Sequence, residues 1–499
     1  MRRLVLLAAA LALSVASAQA RPGALDPGFG RDGRVATAVG SGDAVAYALA
    51  IQPDGKILAA GESDLVHPSF ALVRYRRNGR LDRSFGEGGK VTTSFDELHG
   101  GALAVALQPD GKIVAAGAAG PDFALVRYDR EGSPDASFGA AGTVRTAFPG
   151  AASAAVFGVA LQPDGKVVAA GTVIRAGTLH FDVALARYLP HGSLDETFGA
   201  EGRELVVLPR DSSWALGVAV QPDGKIVVAG SRFETGGFTG DYHGFLLARL
   251  LRDGLSDPSF GAGGVVSTRV GAGGLATSVA LRPDGRIVAG GSTLGHWTDA
   301  GSPRQHFALA RYLPDGTLDG SFGAGGIVTT AVASDAAVED LVLRPDGRIL
   351  AAGSTASEPV LAAYRPDGSL DRSFGRSGRV RTPLGDGHGE AHAVALQPDG
   401  KAVVAGESYD SARERLEFAL VRYLDRQKVC RVPRVKHERL VKARRTIRGA
   451  HCAVGRVRRV FSKQVRKGRV IAQRPRAGTR LAAGSKVRLV VSKGTRTRR

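Results

Sequence analysis

The sequence has few cysteine, methionine and aromatic residues. Its 499 residues include two cysteines, one methionine and two tryptophans, and aromatic residues make up only 6% of the chain. Two cysteines cannot form the four-ligand cysteine sites of structural zinc proteins. No Gly-x-Ser-x-Gly and no Gly-x-x-x-x-Gly-Lys motif occurs, so neither a nucleophile elbow nor a P-loop is predicted. We therefore predict no catalytic residues, no metal site and no cofactor, and the protein is not expected to be an enzyme.

Long apolar runs are also missing after the N-terminus, so no transmembrane segment is predicted. Residues 1–20 combine Arg2 and Arg3, the apolar run Leu4–Val15 and the small residues Ala18 and Ala20. This pattern is typical of a cleaved signal peptide. A membrane anchor is the alternative, but the run is shorter than the roughly 20 residues that a span requires. The mature protein is expected to be secreted, and either soluble or attached to the cell wall.

Acidic residues are almost absent from the C-terminal part. Residues 427–499 contain 25 Lys or Arg and a single acid, Glu438, whereas residues 21–426 hold 40 basic and 46 acidic residues. The formal net charge of +20 therefore belongs to the tail and not to the body of the chain. Attraction to polyanions is expected from the tail alone.

Glycine is abundant, and it marks a repeat. The segment Leu107–Gly117, with the sequence Leu-Gln-Pro-Asp-Gly-Lys-Ile-Val-Ala-Ala-Gly, recurs through most of the chain. Each copy has two short apolar runs around a Pro-Asp-Gly turn, then a run such as Phe-Ala-Leu-Val-Arg-Tyr, then Leu-Asp-x-Ser-Phe-Gly and a last short strand. The seven turns begin at Pro53, Pro109, Pro163, Pro222, Pro283, Pro345 and Pro398.

Four predicted strands in each of seven repeats, with no helical pattern between them, indicate an all-β seven-bladed β-propeller over residues 21–426. A parallel β-solenoid is the alternative, but its coils are shorter and are not built from tight hairpins. The chain opens with a fourth-type strand near residues 33–38 and ends its last copy at Phe418–Tyr423 without one. We predict that the N-terminal strand completes blade 7 and covers two exposed strand edges.

These motifs resemble the delta-60 repeat, a domain of unknown function predicted to form bacterial β-propellers. The resemblance covers residues 25–423 and rests on several motifs that recur in one order: Leu-Asp-x-Ser-Phe-Gly, Gln-Pro-Asp-Gly-Lys-Ile-Val-Val-Ala-Gly and Phe-Ala-Leu-Ala-Arg-Tyr. It implies an exported bacterial protein, and it implies no activity and no catalytic residues.

The tail has a pattern of its own. A short strand at Cys430–Val435 is followed by apolar residues at helical spacing from Leu440 to Ala450 and by three further strand-like runs. Cys430-x-Val-Pro-x-Val, Gln473-x-Pro-x-x-Gly and the run from Gly484 to Ser492 resemble the PASTA module of penicillin-binding proteins and wall-sensing kinases. The resemblance implies a small βαβββ domain over residues 427–494, followed by a basic tail at 495–499, and contact with peptidoglycan.

Cys430 and Cys452 are the only cysteines of a chain predicted to be exported, and they flank the predicted helix. We predict that they form a disulfide bond.

The candidate ligand-binding residues are aromatic and lie on the face opposite the Pro-Asp-Gly turns. Two long segments, Ser231–Gly244 and Ser292–His306, connect the second and third strands of blades 4 and 5, and Trp214 lies at the entry to blade 4. Exposed aromatic residues on such loops suit recognition of carbohydrate or protein. Mutual packing that orders the loops is an equally weighted interpretation. The candidates are Trp214, Phe238, Tyr242, His243, His296 and Trp297.

The repeated charges are interpreted as structural. The Asp residues of the turns are expected to cap backbone N–H groups, and the Arg of each third strand is expected to be a pairing residue. Asp340 is the one charged residue at its position in the first strands, and we expect a solvated side chain there, with a place in the channel as the alternative.

The leading hypothesis is therefore an exported scaffold or binding protein, expected to be a monomer. Its propeller face would bind an unknown ligand or protein, and residues 427–499 would bind peptidoglycan or another polyanionic surface. The second hypothesis is a propeller lyase or hydrolase, which requires His, Tyr and acidic residues that converge at the channel mouth. The third is an electrostatic binder of nucleic acid or anionic polymer through the tail alone, which salt would weaken steeply.

Overall fold

The computed structural model describes residues 21–64, 67–95, 100–178, 180–208, 211–234, 242–294, 305–333, 335–355, 357–385, 387–425, 429–482 and 485–495. The predicted signal peptide lies outside these ranges. The chain forms two compact units, of which the first ends at Leu424 and the second begins at Asp425. Within the described ranges, no helix has both the length and the apolar composition needed to cross a membrane.

The first unit consists of seven four-stranded antiparallel sheets, so the seven-bladed propeller is confirmed. The strands of blades 1 to 4 are β2 (Ala44–Ile51), β3 (Ile57–Ser63), β4 (Ser69–Tyr75) and β5 (Lys90–Thr93); β6 (Ala102–Leu107), β7 (Ile113–Ala119), β8 (Asp122–Tyr128) and β9 (Thr143–Thr146); β10 (Ala151–Leu161), β11 (Val167–Arg175), β12 (Phe181–Tyr188) and β13 (Arg203–Val206); and β14 (Asp211–Val220), β15 (Ile226–Glu234), β16 (Tyr242–Leu250) and β17 (Val265–Thr268).

The remaining three blades follow the same order, except that the last borrows its outer strand from the N-terminus. Their strands are β18 (Gly273–Leu281), β19 (Ile287–Leu294), β20 (His306–Tyr312) and β21 (Ile327–Thr330); β22 (Ala337–Leu343), β23 (Ile349–Ser354), β24 (Pro359–Tyr364) and β25 (Arg379–Arg381); and β26 (Gly389–Leu396), β27 (Ala402–Asp410), β28 (Arg415–Tyr423) and β1 (Arg34–Thr37).

The ring closes as predicted. Strand β1 pairs antiparallel with β28, with Arg34 opposite Val421 and Thr37 opposite Phe418. Each first strand contacts the first strands of the two neighbouring blades, including β2 against β26, so these strands encircle a central channel. The apolar core lies between adjacent blades, in seven separate clusters of buried side chains.

Each Pro-Asp-Gly turn joins the first strand of a blade to its second. In blade 1, Gly55 adopts a φ of +82°, and its N–H group donates a hydrogen bond to the carbonyl oxygen of Gln52 at 2.7 Å. The Asp54 side chain accepts a hydrogen bond from the N–H group of Lys56 at 3.0 Å. The turn thus needs glycine where φ is positive and aspartate where a side chain must replace a backbone acceptor.

Every first strand also contains a bulge, in which one residue has no partner on the second strand. In blade 7 the register shifts between Ala391 and Ala393 and leaves His392 as the extra residue. The opposite glycine, Gly406, is required here because a Cβ atom on it would lie 1.9 Å from the Glu390 carbonyl oxygen. Equivalent glycines occupy this position in the other six second strands.

The Arg residues of the third strands tie neighbouring blades together. Arg187 donates to a carboxylate oxygen of Asp195 at 2.7 Å, and its Nη1 atom donates to the Arg252 carbonyl in the next blade. Its guanidinium carbon also lies 4.7 Å from the centre of the Phe198 ring. The same arrangement recurs at Arg74, Arg127, Arg249, Arg311 and Arg422, which confirms that these arginines pair with structural partners.

We call the Asp residues of this arrangement the seam carboxylates: Asp26, Asp82, Asp135, Asp195, Asp257, Asp319 and Asp371. Each receives a second cation, the Lys or Arg that follows a Pro-Asp-Gly turn, at 2.7–3.2 Å. The pKa values of six of them are lowered because hydrogen bonds and positive charges outweigh their burial. The repeat thus supplies two counter-charges to each seam carboxylate, with one exception.

Blade 6 is that exception, because Ala363 stands where the other third strands have Arg. Its carboxylate, Asp371, is paired with Arg348 of the second strand at 3.2 Å. At the same seam, the Gly375 N–H group donates to the carbonyl oxygen of Pro22 at 2.7 Å. The N-terminal segment therefore supplies at blade 7 the backbone contact that an internal turn supplies in the other blades.

The second unit is a small α+β domain. Its elements are β29 (Val429–Arg431), α1 (Leu440–Gly449), β30 (Ala453–Val460), β31 (Val470–Arg474), β32 (Arg480–Ala482) and β33 (Lys486–Ser492). The predicted βαβββ order is confirmed, with β32 as one short additional strand that pairs with β29. The predicted disulfide is also present, because Cys430 and Cys452 are bonded and lie in the domain core beside Ala443 and Ile447.

Candidate functional site

The seven bulge residues form one ring around the channel, and this ring is asymmetric. Each of them is half-buried at the same register position. In blades 2, 3 and 4 they are apolar. In blades 5, 6, 7 and 1 they are polar or carry a polar tip. In blade order from blade 1, the residues are Tyr47, Leu103, Phe157, Leu216, Thr277, Glu339 and His392.

Two hydrogen-bonded pairs lie side by side on the polar side of the ring. The Tyr47 hydroxyl donates to a Glu62 carboxylate oxygen at 2.7 Å. His392 Nε2 lies 2.6 Å from a carboxylate oxygen of Glu407. The rings of Tyr47 and His392 are in contact, with their centres 5.3 Å apart. Blades 7 and 1 therefore place an imidazole and a phenol together, each oriented by its own carboxylate.

Two further carboxylates complete what we call the channel-mouth cluster: Tyr47, Glu62, Glu339, Glu390, His392 and Glu407. Burial raises the pKa of Glu339 to about 7; the charge of His392 opposes this shift, and the neighbouring carboxylates add to it. Burial and the charge of Glu407 raise the pKa of Glu390. Burial disfavours protonation of His392, but its hydrogen bond to Glu407 and the surrounding carboxylates raise its pKa overall.

The cluster lies toward the end of the channel opposite the Pro-Asp-Gly turns. In blades 1, 6 and 7, which supply the cluster, the bulge lies in the first half of the first strand, and the Pro-Asp-Gly turn follows the second half. In the described part of the chain, no Lys or Arg forms an ion pair with any of the four cluster carboxylates. Among the described residues, Glu339, Glu390 and Glu407 have His392 as their basic partner, whereas Glu62 accepts the hydrogen bond of the Tyr47 hydroxyl.

Asp340 lies directly after the bulge of blade 6 and is not the solvated residue that the sequence led us to expect. Its carboxylate accepts hydrogen bonds from the Ser278 hydroxyl at 2.8 Å and from the Val394 N–H group at 2.9 Å. It thereby links the first strands of blades 5, 6 and 7. Burial raises its pKa to about 6, although these hydrogen bonds act in the opposite direction. Its role in the structure is to join three blades beneath the cluster.

The described residues include only part of the predicted aromatic site. Trp214 belongs to strand β14 and not to the connection before it, and its ring contacts Phe181 and Phe233 with centres 5.7 and 5.1 Å apart. This is the mutual packing that the sequence left open as an alternative. Tyr242 and His243 lie in β16, so part of the predicted loop continues the strands. Phe238, His296 and Trp297 lie outside the described residues, and the role of these aromatics in ligand binding stays a prediction.

The channel-mouth cluster was missed at the sequence level, although one signal was present. His388-Gly-Glu-Ala-His392 has the spacing that places two histidines on one face of a helix. On an extended strand four residues span about 13 Å, so this spacing separates the two rings instead of joining them. The partners of His392 come from the next strand and from blades 1 and 6, which repeat alignment alone does not bring together.

The second unit carries a different kind of surface. On its three-stranded sheet, Arg474 of β31 lies directly opposite Arg488 of β33, and both are exposed. Arg458 of β30 and Lys486 of β33 are also exposed. The only acid of the unit's sequence after residue 426, Glu438, lies next to the helix, where its carboxylate is 3.9 Å from Lys442. We call Arg458, Arg474, Lys486 and Arg488 the basic sheet face.

Family models match both units. A domain of unknown function described as a beta-propeller, DUF5122, matches at residues 52–85, 108–138, 162–198, 221–260, 282–322 and 344–374. The PASTA domain matches at residues 431–493. The six propeller matches correspond to the six repeats in which the Pro-Asp-Gly turn and the following Phe-Gly lie in one continuous segment of the chain. The seventh is divided between the two ends of the propeller and is completed only by the β1–β28 pairing. Comparison with curated proteins found no match.

Solved structures resemble the propeller only distantly. A catalytically inactive variant of virginiamycin B lyase from Staphylococcus aureus, solved with quinupristin, is 10% identical, with a TM-score of 0.41, over 78% of this chain and 98% of the other. The polysaccharide lyase Uly1 is 12% identical, with a TM-score of 0.43, over 76% and 90%. A protein of unknown function from Dyadobacter fermentans is 13% identical, with a TM-score of 0.40, over 80% and 100%.

Structural similarity at these identities and TM-scores gives no information about activity. The family matches and the architecture of the two units agree with each other and with the resemblances seen in the sequence. The chain is a DUF5122 β-propeller protein with a C-terminal PASTA domain.

Proposed function

We propose that the protein is an exported binding protein that its PASTA domain holds on the cell wall or on another polyanionic surface. In this proposal the propeller presents a ligand-binding site at the channel mouth. The propeller fold joined to a PASTA domain fits a binding module.

The observation that carries the proposal is the Arg474–Arg488 pair on the basic sheet face. Like charges directly opposite each other on neighbouring strands destabilise a sheet, and within residues 429–482 and 485–495 the one acid, Glu438, lies beside α1 near Lys442. A sheet that keeps this pair is poorly optimised for the free domain and well suited to an anionic surface. The phosphate polymers and the peptide carboxylates of a bacterial wall are surfaces of this chemistry.

The test is sedimentation of the full chain with purified walls at low and high salt. We expect Arg474→Gln/Arg488→Gln to lose much more binding than Arg444→Gln/Arg445→Gln, which removes the same charge from exposed positions of α1. Equal losses for the two variants would mean that net charge alone drives binding. Walls stripped of their phosphate polymers separate the two ligands, because binding that survives stripping points to peptidoglycan. A wild-type chain that does not sediment would refute attachment.

A second candidate function is an enzyme that acts on an extracellular polymer. The channel-mouth cluster favours it, since convergent His, Tyr and acidic residues are what this hypothesis required. Burial, the hydrogen bond to Glu62 and nearby carboxylates raise the pKa of Tyr47, so its hydroxyl stays protonated and can stabilise developing negative charge as a hydrogen-bond donor. His392, oriented by Glu407, is the matching base, and such pairs contribute typically 10²–10⁴-fold to rate.

A panel of uronate-containing and neutral polysaccharides tests this candidate, with the unsaturated product or new reducing ends as the readout. We expect Tyr47→Phe and His392→Gln each to abolish any turnover, while Phe157→Leu on the apolar side of the bulge ring leaves it unchanged. Turnover that survives both substitutions would exclude the cluster as the active site.

A further inference from the structure

We propose that Glu390, His392 and Glu407 form a binding site for a divalent transition-metal ion of the Mn²⁺ or Zn²⁺ class. The nitrogen and carboxylate oxygen atoms that these three side chains offer all lie within 4.8 Å of one another. An ion with bonds of about 2.1 Å to nitrogen and oxygen holds tetrahedral ligand atoms about 3.4 Å apart, so side-chain shifts of about 1 Å bring the three groups to it. The proposal does not depend on wall attachment or on enzyme activity.

The strand geometry explains why three side chains converge here. Glu390 of β26 lies opposite Glu407 of β27 in the register, and the Cβ atoms of such pairs are about 5 Å apart. The bulge places His392 beside them, with Nε2 2.6 Å from the Glu407 oxygen. The lone pairs of both ligand atoms therefore point to the same small volume, where an ion can take the place of the shared proton.

The charge balance of the propeller supplies an independent argument. All seven seam carboxylates have cationic partners, as the ion pairs above show. At the channel mouth, Glu390 and Glu407 face each other across two strands and no Lys or Arg within the described ranges pairs with them. Directly opposed like charges are destabilising, and burying charge without a partner costs free energy. Among the described residues His392 is the one basic partner of this pair, and a bound divalent cation supplies the positive charge that two facing carboxylates need.

The fold itself does not require these residues. The positions equivalent to Glu390 hold Val45, Ala155, Trp214, Leu275 and Ala337, and those equivalent to Glu407 hold Glu62, Thr172, Ser231, Ser292 and Ser354. Only blade 7 combines two carboxylates and an imidazole. Because five other blades form without this combination, the set in blade 7 is an addition to the repeat and not a condition for folding.

The ligand types narrow the choice of ion. Imidazole suits Zn²⁺ and other transition metals, whereas carboxylates also suit Mg²⁺, Ca²⁺ and Mn²⁺. One imidazole with two carboxylates therefore favours Mn²⁺ or Zn²⁺ over Ca²⁺ and Mg²⁺.

The test uses the full chain after treatment with a chelator. MnCl₂ binding is followed by loss of the electron paramagnetic resonance signal of free Mn²⁺, and ZnCl₂ binding by calorimetry. We expect saturable binding of one equivalent that His392→Gln and Glu407→Gln each weaken by at least about tenfold, as loss of a ligand should. Glu62→Gln is the matched control, because Glu62 occupies the position of Glu407 in blade 1 and its substitution removes the same charge.

Thermal unfolding of the metal-free variants shows whether each one is folded. Wild-type affinity in folded His392→Gln and Glu407→Gln would overturn the proposal, and so would the absence of binding to the wild-type chain at millimolar metal. Equal weakening by Glu62→Gln and Glu407→Gln would also overturn it, because the effect would then be one of net charge. If either ligand variant fails to fold, Glu390→Gln provides the same comparison.

Discussion

The propeller contains two groups of carboxylates that share one scaffold and differ in their surroundings. The seam carboxylates are repeated in all seven blades, and the typical member, Asp195, lies within 2.9 Å of both Arg187 and Lys166. The channel-mouth carboxylates are confined to blades 6, 7 and 1, and they face one another. Six members of the first group have lowered pKa values, and the second group includes raised ones.

The difference teaches how function can be separated from structure in a repeat protein. A charge that recurs in every repeat with a partner in the same repeat serves the assembly of the ring. A carboxylate that breaks the repeat and faces another carboxylate, as Glu390 faces Glu407, has a cost that requires another explanation. This criterion directs attention away from the abundant Asp residues of the turns and toward Glu390, His392 and Glu407.

The largest effect is expected from the N-terminal segment, which supplies the seam carboxylate of blade 7. Deletion of residues 21–40 removes Asp26, whose carboxylate is 2.8 Å from both Arg422 and Lys401, together with strand β1. Two cations without their counter-charge and an open strand edge remain. We expect loss of the cooperative thermal transition and aggregation, measured by calorimetry and light scattering. An unchanged melting temperature would refute the closure of the ring.

Acid should remove the seam interactions together. Hydrogen bonds and cations, acting against burial, lower the pKa values of Asp82 and Asp319 to about 2, whereas an unfolded Asp titrates near 3.9. A carboxylate whose pKa is lower in the folded state than in the unfolded state stabilises the folded protein at every pH above its unfolded pKa. This stability should therefore be lost between about pH 4 and pH 2. Urea unfolding at pH 5, 4, 3 and 2 measures it, and a constant midpoint would contradict the seam account.

A single seam arginine should have a smaller but still large effect. Arg187→Leu leaves the buried Asp195 with Lys166 as its remaining cation, and we expect a loss of about 3 kcal/mol in the free energy of unfolding. The control is Arg145→Gln, because Arg145 pairs with Asp122 at 2.5 Å but is substantially exposed. Such surface pairs contribute about 1 kcal/mol or less. Similar losses for both variants in urea unfolding would show that burial does not decide the contribution.

Much of this structure could be predicted from the sequence, because the same local sequence signals recur in all seven repeats. Turn glycines, alternating apolar strands and the spacing of eight residues between Arg187 and Asp195 are local signals. The order of the strands at the two chain ends then specifies the closure. The disulfide and the PASTA fold followed from two cysteines and a few motifs.

The candidate site could not be predicted, because it depends on contacts between distant blades. Tyr47 and His392 are neighbours only after the ring closes, and the bulge that turns His392 toward Glu407 has no distinct sequence motif beyond the glycine opposite it. For Trp214 the sequence left two interpretations open, ligand binding and mutual packing. The structure shows its ring against Phe181 and Phe233, and a role in ligand binding stays a prediction.

The central claim is tested most directly by comparing Asp195→Asn with Glu390→Gln in urea unfolding at neutral pH in metal-free buffer. Both substitutions remove one negative charge at nearly constant size. Asp195→Asn leaves buried Arg187 without its counter-charge and should cost about 3 kcal/mol. Glu390→Gln relieves repulsion from Glu407 and should leave stability unchanged or raise it by up to about 1 kcal/mol. Comparable destabilisation by both would show that the channel-mouth carboxylates are structural, and would contradict the account.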